Sequence, residues 1–538
     1  MVLLTAEIGA DCRQAIAEEF ADDRVFVISA DPGAGSSFTS VPLTESTVPS
    51  VEDALVRIGP IDILLQHGPL LLPDQARAVR RLLFHLRRNG VYLVDRAADG
   101  GEDRQAWSNV AELLSRAAED RASTTDARSP AELEFAKAVG TVVWAPGLLL
   151  VRKETTHHLK LREAEVDELL RLRRGVRAPK VIAQRPGGSM RSRATVRHYG
   201  VSAPPRGFDP VFQYPPMVLR NYRGRISLVS HSLILADHAI LPGSFRHHLA
   251  RTLTNPRAVD ANDRFARVPA KNRPRTTLPG TYFHLDAPFA GHFGHTMTEV
   301  LSRLWAWPAA KQACPELKAI YHLSNRPERA LVQRRMLEGF GIMPDDIVPV
   351  ETPVYLNGVQ SATAMWHNQR PHYVHPEILE VWRELRRNLA GPAGTTPDRR
   401  IFVSRPDSLG ARACRNTPEV EQFFASRGFR VLYPEQYSLT EQATIFGTAE
   451  VVAGFAGSAL LNTMFSTDLK SLIVLGHHGY TARNEYLVAS LLGCELDYLW
   501  SDPDVAHPPK RWSPAGFVSP WSFDFGRHGR DLDLITAR

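Results

Sequence analysis

Val451–Phe465 reads VVAGFAGSALLNTMF, and this stretch decides the fold. VVAGF has the composition of a buried strand, Gly454 and Gly457 bracket a tight turn, and Ser458 stands where a hydroxyl caps the helix that follows. A strand that runs through glycines into a helix is half of a βαβ unit, hence of a parallel sheet. Small residues at such a corner let backbone N–H groups approach an anion closely, and a helix start favours negative charge. The same corner also serves plain strand–helix packing.

About 45 residues upstream, Ile401–Asn416 reads IFVSRPDSLGARACRN. Here a strand delivers Ser404 and Arg405 to its carboxyl end, where open α/β sheets bind ligands. Arg412 and Arg415 follow in the loop, and Thr417-Pro418-Glu419 opens a helix. Guanidinium groups gathered at a strand end and a helix start make a diphosphate site; the alternative is arginines paired with surface acids. Between the two stretches, FRVLY (429–433) reads as a strand, and Ser438 with Glu441 has capping-box spacing.

Further upstream, Gly291–Leu304 reads GHFGHTMTEVLSRL. His292 and His295 precede a helix that Thr296 or Thr298 would cap. A histidine at a positive helix end is held neutral and ready to accept a proton, so His295 is a candidate general base for a sugar hydroxyl, with Glu299 orienting the ring or replacing it. The alternative is a buried histidine that holds the loop. His292, His295 and Glu299 also have the spacing of metal ligands, but no further strong ligand is near and HExxH is absent, so no metal is expected.

The first 150 residues read as an α/β module with strands at Arg24–Ser29, Ile61–Leu65 and Val91–Asp95. Asp74–Arg88 has amphipathic spacing, and Asn89-Gly90 supplies a stop, which completes a βαβ unit. The arrangement resembles the later half of a class I methyltransferase fold. DPGAGSS (Asp31–Ser37) lacks the spacing of a dinucleotide fingerprint, so a degenerate or structural module is expected. Gly100–Ser129 is helical in tone, and Thr141–Arg152 is a hairpin turning at Pro-Gly. Lys153–Arg174 reads as a charged helix with a solvated polar face.

The pattern divides the chain into an N-terminal module (1–150), a connector with outer strands (151–277) and two α/β lobes (278–390 and 391–538). Ala390–Arg399 is the linker between the lobes. A chain of 538 residues exceeds one core, so several domains are required. Its 64 basic and 58 acidic residues leave a net charge of +6, which suits anionic small molecules or acidic surfaces but is weak evidence for nucleic acid; with no RNA-binding signature and no helix-turn-helix, no nucleic-acid partner is expected. The four cysteines form no CxxC pair, which points to a reducing cytoplasm. Glu7 and Asp11 interrupt the opening residues, so these do not read as a signal peptide. No run is long enough to span a membrane, so any membrane association would be peripheral or through a partner.

Over roughly Gly280–Ser501 the ordered motifs resemble glycosyltransferase family 61. Phe293–Arg303 is similar to a family segment in which His295, Glu299 and Arg303 hold matching positions, and Ser404, Arg405, Arg412 and Asn416 are similar to a second. Gly428, Phe429, Val431, Pro434, Glu435, Glu441 and Gln442 follow a third, and Gly454, Gly457, Ser458, Leu460 and Asn462 a fourth. Many members carry a histidine just before the second glycine of that last turn, where this chain has Ala456. The resemblance implies a GT-B-like pair of Rossmann-type lobes, a nucleotide-sugar donor (UDP-linked by analogy), a glycan or polysaccharide acceptor, inversion at the anomeric carbon and no obligatory metal or further cofactor. It adds Asn416 and Asn462 to the expected donor-binding set of Ser404, Arg405, Arg412, Arg415, Gly454, Gly457 and Ser458. Two rivals stay open: a methyltransferase using S-adenosylmethionine in the N-terminal module, and a non-catalytic scaffold on a decayed transferase, for which Ala456 is the main argument.

Overall fold

Val2–Thr5, all four residues buried, is the strand around which the N-terminal sheet is laid. The computed structural model describes residues 1–5, 10–29, 38–68, 71, 74–95, 104–122, 129–171, 176–203, 205–391, 398–406 and 411–538. The sheet order is Thr39–Pro42, Phe26–Ser29, Val2–Thr5, Ile61–His67, Leu86–Asp95, Leu148–Lys153, Val139–Ala145. The first five strands are parallel, and the last two join as an antiparallel hairpin. The chain reverses its direction of travel across the sheet between Val2–Thr5 and Ile61–His67, as in a doubly wound sheet. Asp31–Ser37 lies outside the described residues.

Two expectations in this part of the chain are corrected. Asn89-Gly90 does not stop a helix; the helix covers only Gln75–Leu82, and Leu86–Asp95 is already strand. Asn89 has φ 66°, and a Cβ on Gly90 would stand 2.9 Å from the Asp62 carbonyl oxygen, so the pair forms an irregularity against Ile61–His67. Nor is Lys153–Arg174 one solvated helix. His158–Lys160 is a strand between Phe265–Arg267 and Ala239–Ile240, and among the described residues of this span only Val166–Arg171 is α-helical. Lys153 is buried with its ammonium on the Phe84 and Leu86 carbonyls. Lys160 is buried likewise, donating to the carbonyls of Leu253 and Asn262 and to Asp260. Pairing with strands about 80 to 110 residues away, which no local pattern reports, overrides the helical spacing.

Contacts divide the chain into two compact units. One comprises Met1–Lys180, Asn221–Thr281 and Thr352–Val359; the other comprises Val181–Arg220, Tyr282–Glu351 and Gln360–Arg538. The second unit holds a parallel sheet in the order Thr195–Tyr199, Glu495–Ser501, Ser471–His477, Val451–Phe455, Arg400–Val403, Arg430–Leu432. It also holds the parallel set Tyr282–His284, Lys318–His322 and Ile347–Val350. Residues of both sets, such as Phe283, Ala319, Val403, Val452 and Val474, belong to one continuous apolar core. Residues 282–351 and 360–538 therefore share a unit across the boundary drawn at 390, and Thr195–Tyr199 of the expected connector is an edge strand of its six-stranded sheet. No described helix is long and apolar enough to cross a membrane.

Candidate functional site

The carboxyl ends of these parallel strands carry the site, all of it within the second unit. Phe293–Ala313 is a nearly unbroken helical run: one short α-turn, a π-turn over Thr296–Val300, a 3₁₀ stretch and an α-helix. His292, rather than Thr296 or Thr298, occupies the cap position and gives no side-chain cap; the Thr298 hydroxyl turns back to the Gly294 carbonyl. Within the π-turn Glu299 is buried, with Oε1 2.6 Å from Nδ1 of His295. That contact fixes the ring so that Nε2 faces outward. His292 packs edge-on against His295 at 5.1 Å between ring centroids. Burial, His295 and the nearby Arg329 and Arg412 push the His292 pKa down to about 4, so its ring is neutral at pH 7.

Opposite this helix start lies the glycine corner. A Cβ on Gly294 would stand 3.0 Å from the Cβ of Ser458, so the histidine loop and the corner are in direct contact. A Cβ on Gly457 would stand 3.3 Å from Nη1 of Arg405 and 3.5 Å from Nη2 of Arg412. Two guanidinium groups thus converge on one small residue. Nε of each is buried without a partner among the described residues. Burial, and then Arg412, lower the Arg405 pKa to about 10. Such an arrangement is costly until an anion fills it. Arg412 is held with φ 58°, its N–H on the Val518 carbonyl, and its guanidinium lies 5.0 Å from the ring centroid of Tyr480 and 5.5 Å from that of Phe517.

Other expected donor-binding residues serve the fold. Arg415 is exposed and pairs with Asp504. Asn416 donates to the Phe523 carbonyl and accepts the Phe523 N–H, clamping the C-terminal segment. The Ser404 hydroxyl is given to Glu421, which also takes the Tyr433 hydroxyl. A Cβ on Gly454 would stand 2.7 Å from the Val403 carbonyl oxygen, so glycine is required there by the neighbouring strand. Gly457 itself, rather than Ser458, takes the cap position of the 3₁₀ run Ser458–Phe465. The Gly457 N–H is already bound, at 2.8 Å, to the buried Glu485, whose pKa burial raises. Asn462 is fully buried and donates to Ala459 O.

Spacing reasoning missed Glu485, Arg329, His477 and Tyr480. Glu485 and Tyr480 lie in stretches with no motif, and only the ends of adjacent strands bring them to the corner. Among the described residues no group of three or more His, Cys, Asp or Glu is arranged to hold a metal ion.

Fold and site define an α/β protein in which two guanidinium groups converge on Gly457 at the carboxyl ends of parallel strands, with a histidine–carboxylate pair on the loop that touches this corner. Residues 293–473 match the family model Glycosyltransferase 61, which supports a glycosyltransferase. The matched segment is about a third of the chain and contains all the expected catalytic and donor-binding residues, from His295 to Asn462. No curated protein matches the sequence. Among solved structures, the chain is similar in its N-terminal part to the MycE methyltransferase from the mycinamycin biosynthetic pathway. With Mg and SAH, identity is 12%, coverage 28% of this chain and 45% of that one, and the TM-score 0.25. With Mg, SAH and mycinamycin VI the values are 13%, 28%, 41% and 0.24. The chain spans less than half the length of either.

Proposed function

We propose that this protein is an inverting glycosyltransferase that moves a sugar from a nucleotide-diphosphate donor, UDP-linked by analogy, to a hydroxyl of a glycan or polysaccharide acceptor. The observation that carries this reading is the convergence of Arg405 and Arg412 on Gly457, beside the His295–Glu299 pair. The donor diphosphate lies on the two arginines, on the side of residues 391–538, and the acceptor lies on the side of residues 278–390, as in a GT-B-like pair of lobes. The acceptor oxygen attacks the anomeric carbon, and its proton passes to Nε2 of His295. The bond from that carbon to the diphosphate oxygen breaks, and its electron pair leaves with the nucleotide. Arg405 and Arg412 stabilise the charge that develops on the leaving group, and Glu299 stabilises the imidazolium. No further cofactor enters these steps. The thiols of Cys314, Cys414 and Cys494, none of them in a disulfide among the described residues, fit a reaction in the cytoplasm.

Titration with UDP tests the reading. Arg405→Ala should abolish transfer and weaken UDP binding at least tenfold with the fold intact, and unchanged turnover would remove the arginine from the site. A second reading draws on the doubly wound N-terminal sheet, whose strand ends bring Nδ1 of His67 within 2.8 Å of Asp95. That module would then bind S-adenosylmethionine, and a rise in Tm with this ligand but not with UDP would favour it.

A further inference from the structure

His477 ends the strand Ser471–His477, which lies beside Val451–Phe455 in parallel register with Leu475 opposite Phe455. The Ala456 N–H continues this ladder to the Leu475 carbonyl at 2.8 Å. His477 therefore stands level with Gly457, the residue on which Arg405 and Arg412 converge. The imidazole is 1% exposed. Its Nδ1 accepts the Gly479 N–H at 3.1 Å, which places the proton of the neutral ring on Nε2. Nε2 is buried and has no hydrogen-bond partner among the described residues. His477 thus presents a buried N–H donor that no described residue accepts, and the Nε donors of Arg405 and Arg412 are likewise unpartnered among the described residues.

We infer that His477 is a diphosphate-binding residue, its Nε2–H donating a hydrogen bond to the same anion that Arg405 and Arg412 hold. This rests on the nucleotide-sugar reading of the corner. Burial and the charge of Arg412 keep the ring neutral, with a pKa lowered to about 4, so at pH 7 it adds a directed donor without adding charge. A neutral donor of fixed tautomer orients a diphosphate that two arginines alone would attract less specifically.

The test is UDP binding by calorimetry to the full chain and to Arg405→Ala, His477→Phe and His477→Gln, with ¹⁵N-histidine spectra of the unmodified protein. Expected are about a tenfold weaker Kd in His477→Phe, partial recovery in His477→Gln, and a downfield shift of one Nε2–H resonance on saturation with UDP. UDP binding that is lost in Arg405→Ala but within twofold of normal in a folded His477→Phe overturns the assignment and leaves the transferase reading standing. Absence of any UDP binding to the unmodified protein overturns both. If His477→Phe does not fold, the spectra decide, and an Nε2–H resonance that does not move refutes the contact.

Discussion

Nη1 of Arg405 lies 3.3 Å from the point where a Cβ on Gly457 would stand, and Nη2 of Arg412 lies 3.5 Å from it. Glycine keeps this volume open between two cations. Gly457→Ala places a methyl group in the space that an anion would fill, and it also strains the backbone at φ 158°, which accounts for a small loss of stability beside the loss of affinity. UDP affinity should fall about tenfold while Tm changes by only a few degrees, a combination read by calorimetry and thermal denaturation side by side.

Glu299 holds Nδ1 of His295 at 2.6 Å. Glu299→Gln keeps the shape of the side chain and removes the charge that stabilises an imidazolium. Turnover should fall by about 10²-fold or more with UDP affinity nearly unchanged. A loss confined to Kd would place Glu299 in donor binding instead.

His284 is fully buried at the end of Tyr282–His284, and burial, followed by Arg303, lowers its pKa to about 3. The unfolded chain binds this proton near pH 6.5, so between about 6.5 and 3 the unfolded state binds more protons than the folded one. The stability contributed by keeping His284 neutral is complete above pH 6.5 and is lost as the pH falls through this window, by about 1.4 kcal/mol per pH unit. His284→Leu should flatten the decline in stability between pH 6.5 and 4.5 by that amount. A parallel decline in the variant would show that other histidines, such as His157 and His198, set the slope.

Lys160 gives its ammonium to two carbonyls and Asp260 inside the first unit. Lys160→Ala removes the donor shared by the buried Leu253 carbonyl, the Asn262 carbonyl and the half-buried Asp260. It should destabilise the unit by about 3–5 kcal/mol, visible as a loss of soluble protein or a large drop in Tm. A near-neutral effect would restore the solvated-face expectation for Lys153–Arg174.

The elements that repeat a local pattern were legible before any coordinates. The strand–glycine–helix corner at 451–465, the capping box of Ser438 and Glu441, and the Pro-Gly hairpin of Val139–Lys153 are each specified by residues a few positions apart. Short-range sterics and backbone hydrogen bonding suffice there. The strand Val2–Thr5 was missed because four apolar residues carry too little periodicity, and His158–Lys160 because partners far along the chain decide it.

The site divides in the same way. Residue types and spacing marked Arg405, Arg412, Gly457, His295 and Glu299 as candidates, while each feature also had a purely structural use: arginines paired with acids, a corner for strand–helix packing, a histidine that holds a loop. Which of the marked arginines faces the corner was settled only in three dimensions, where Asp504 draws Arg415 to the surface while Arg405 and Arg412 are left without carboxylates among the described residues. Ser404, Asn416 and Gly454 changed roles for the same reason: Glu421, Phe523 and Val403 satisfy or crowd them. Sequence determines which chemistry is available and where the chain turns. Tertiary structure decides which polar groups are already satisfied, because each hydrogen bond needs a partner that only long-range packing supplies.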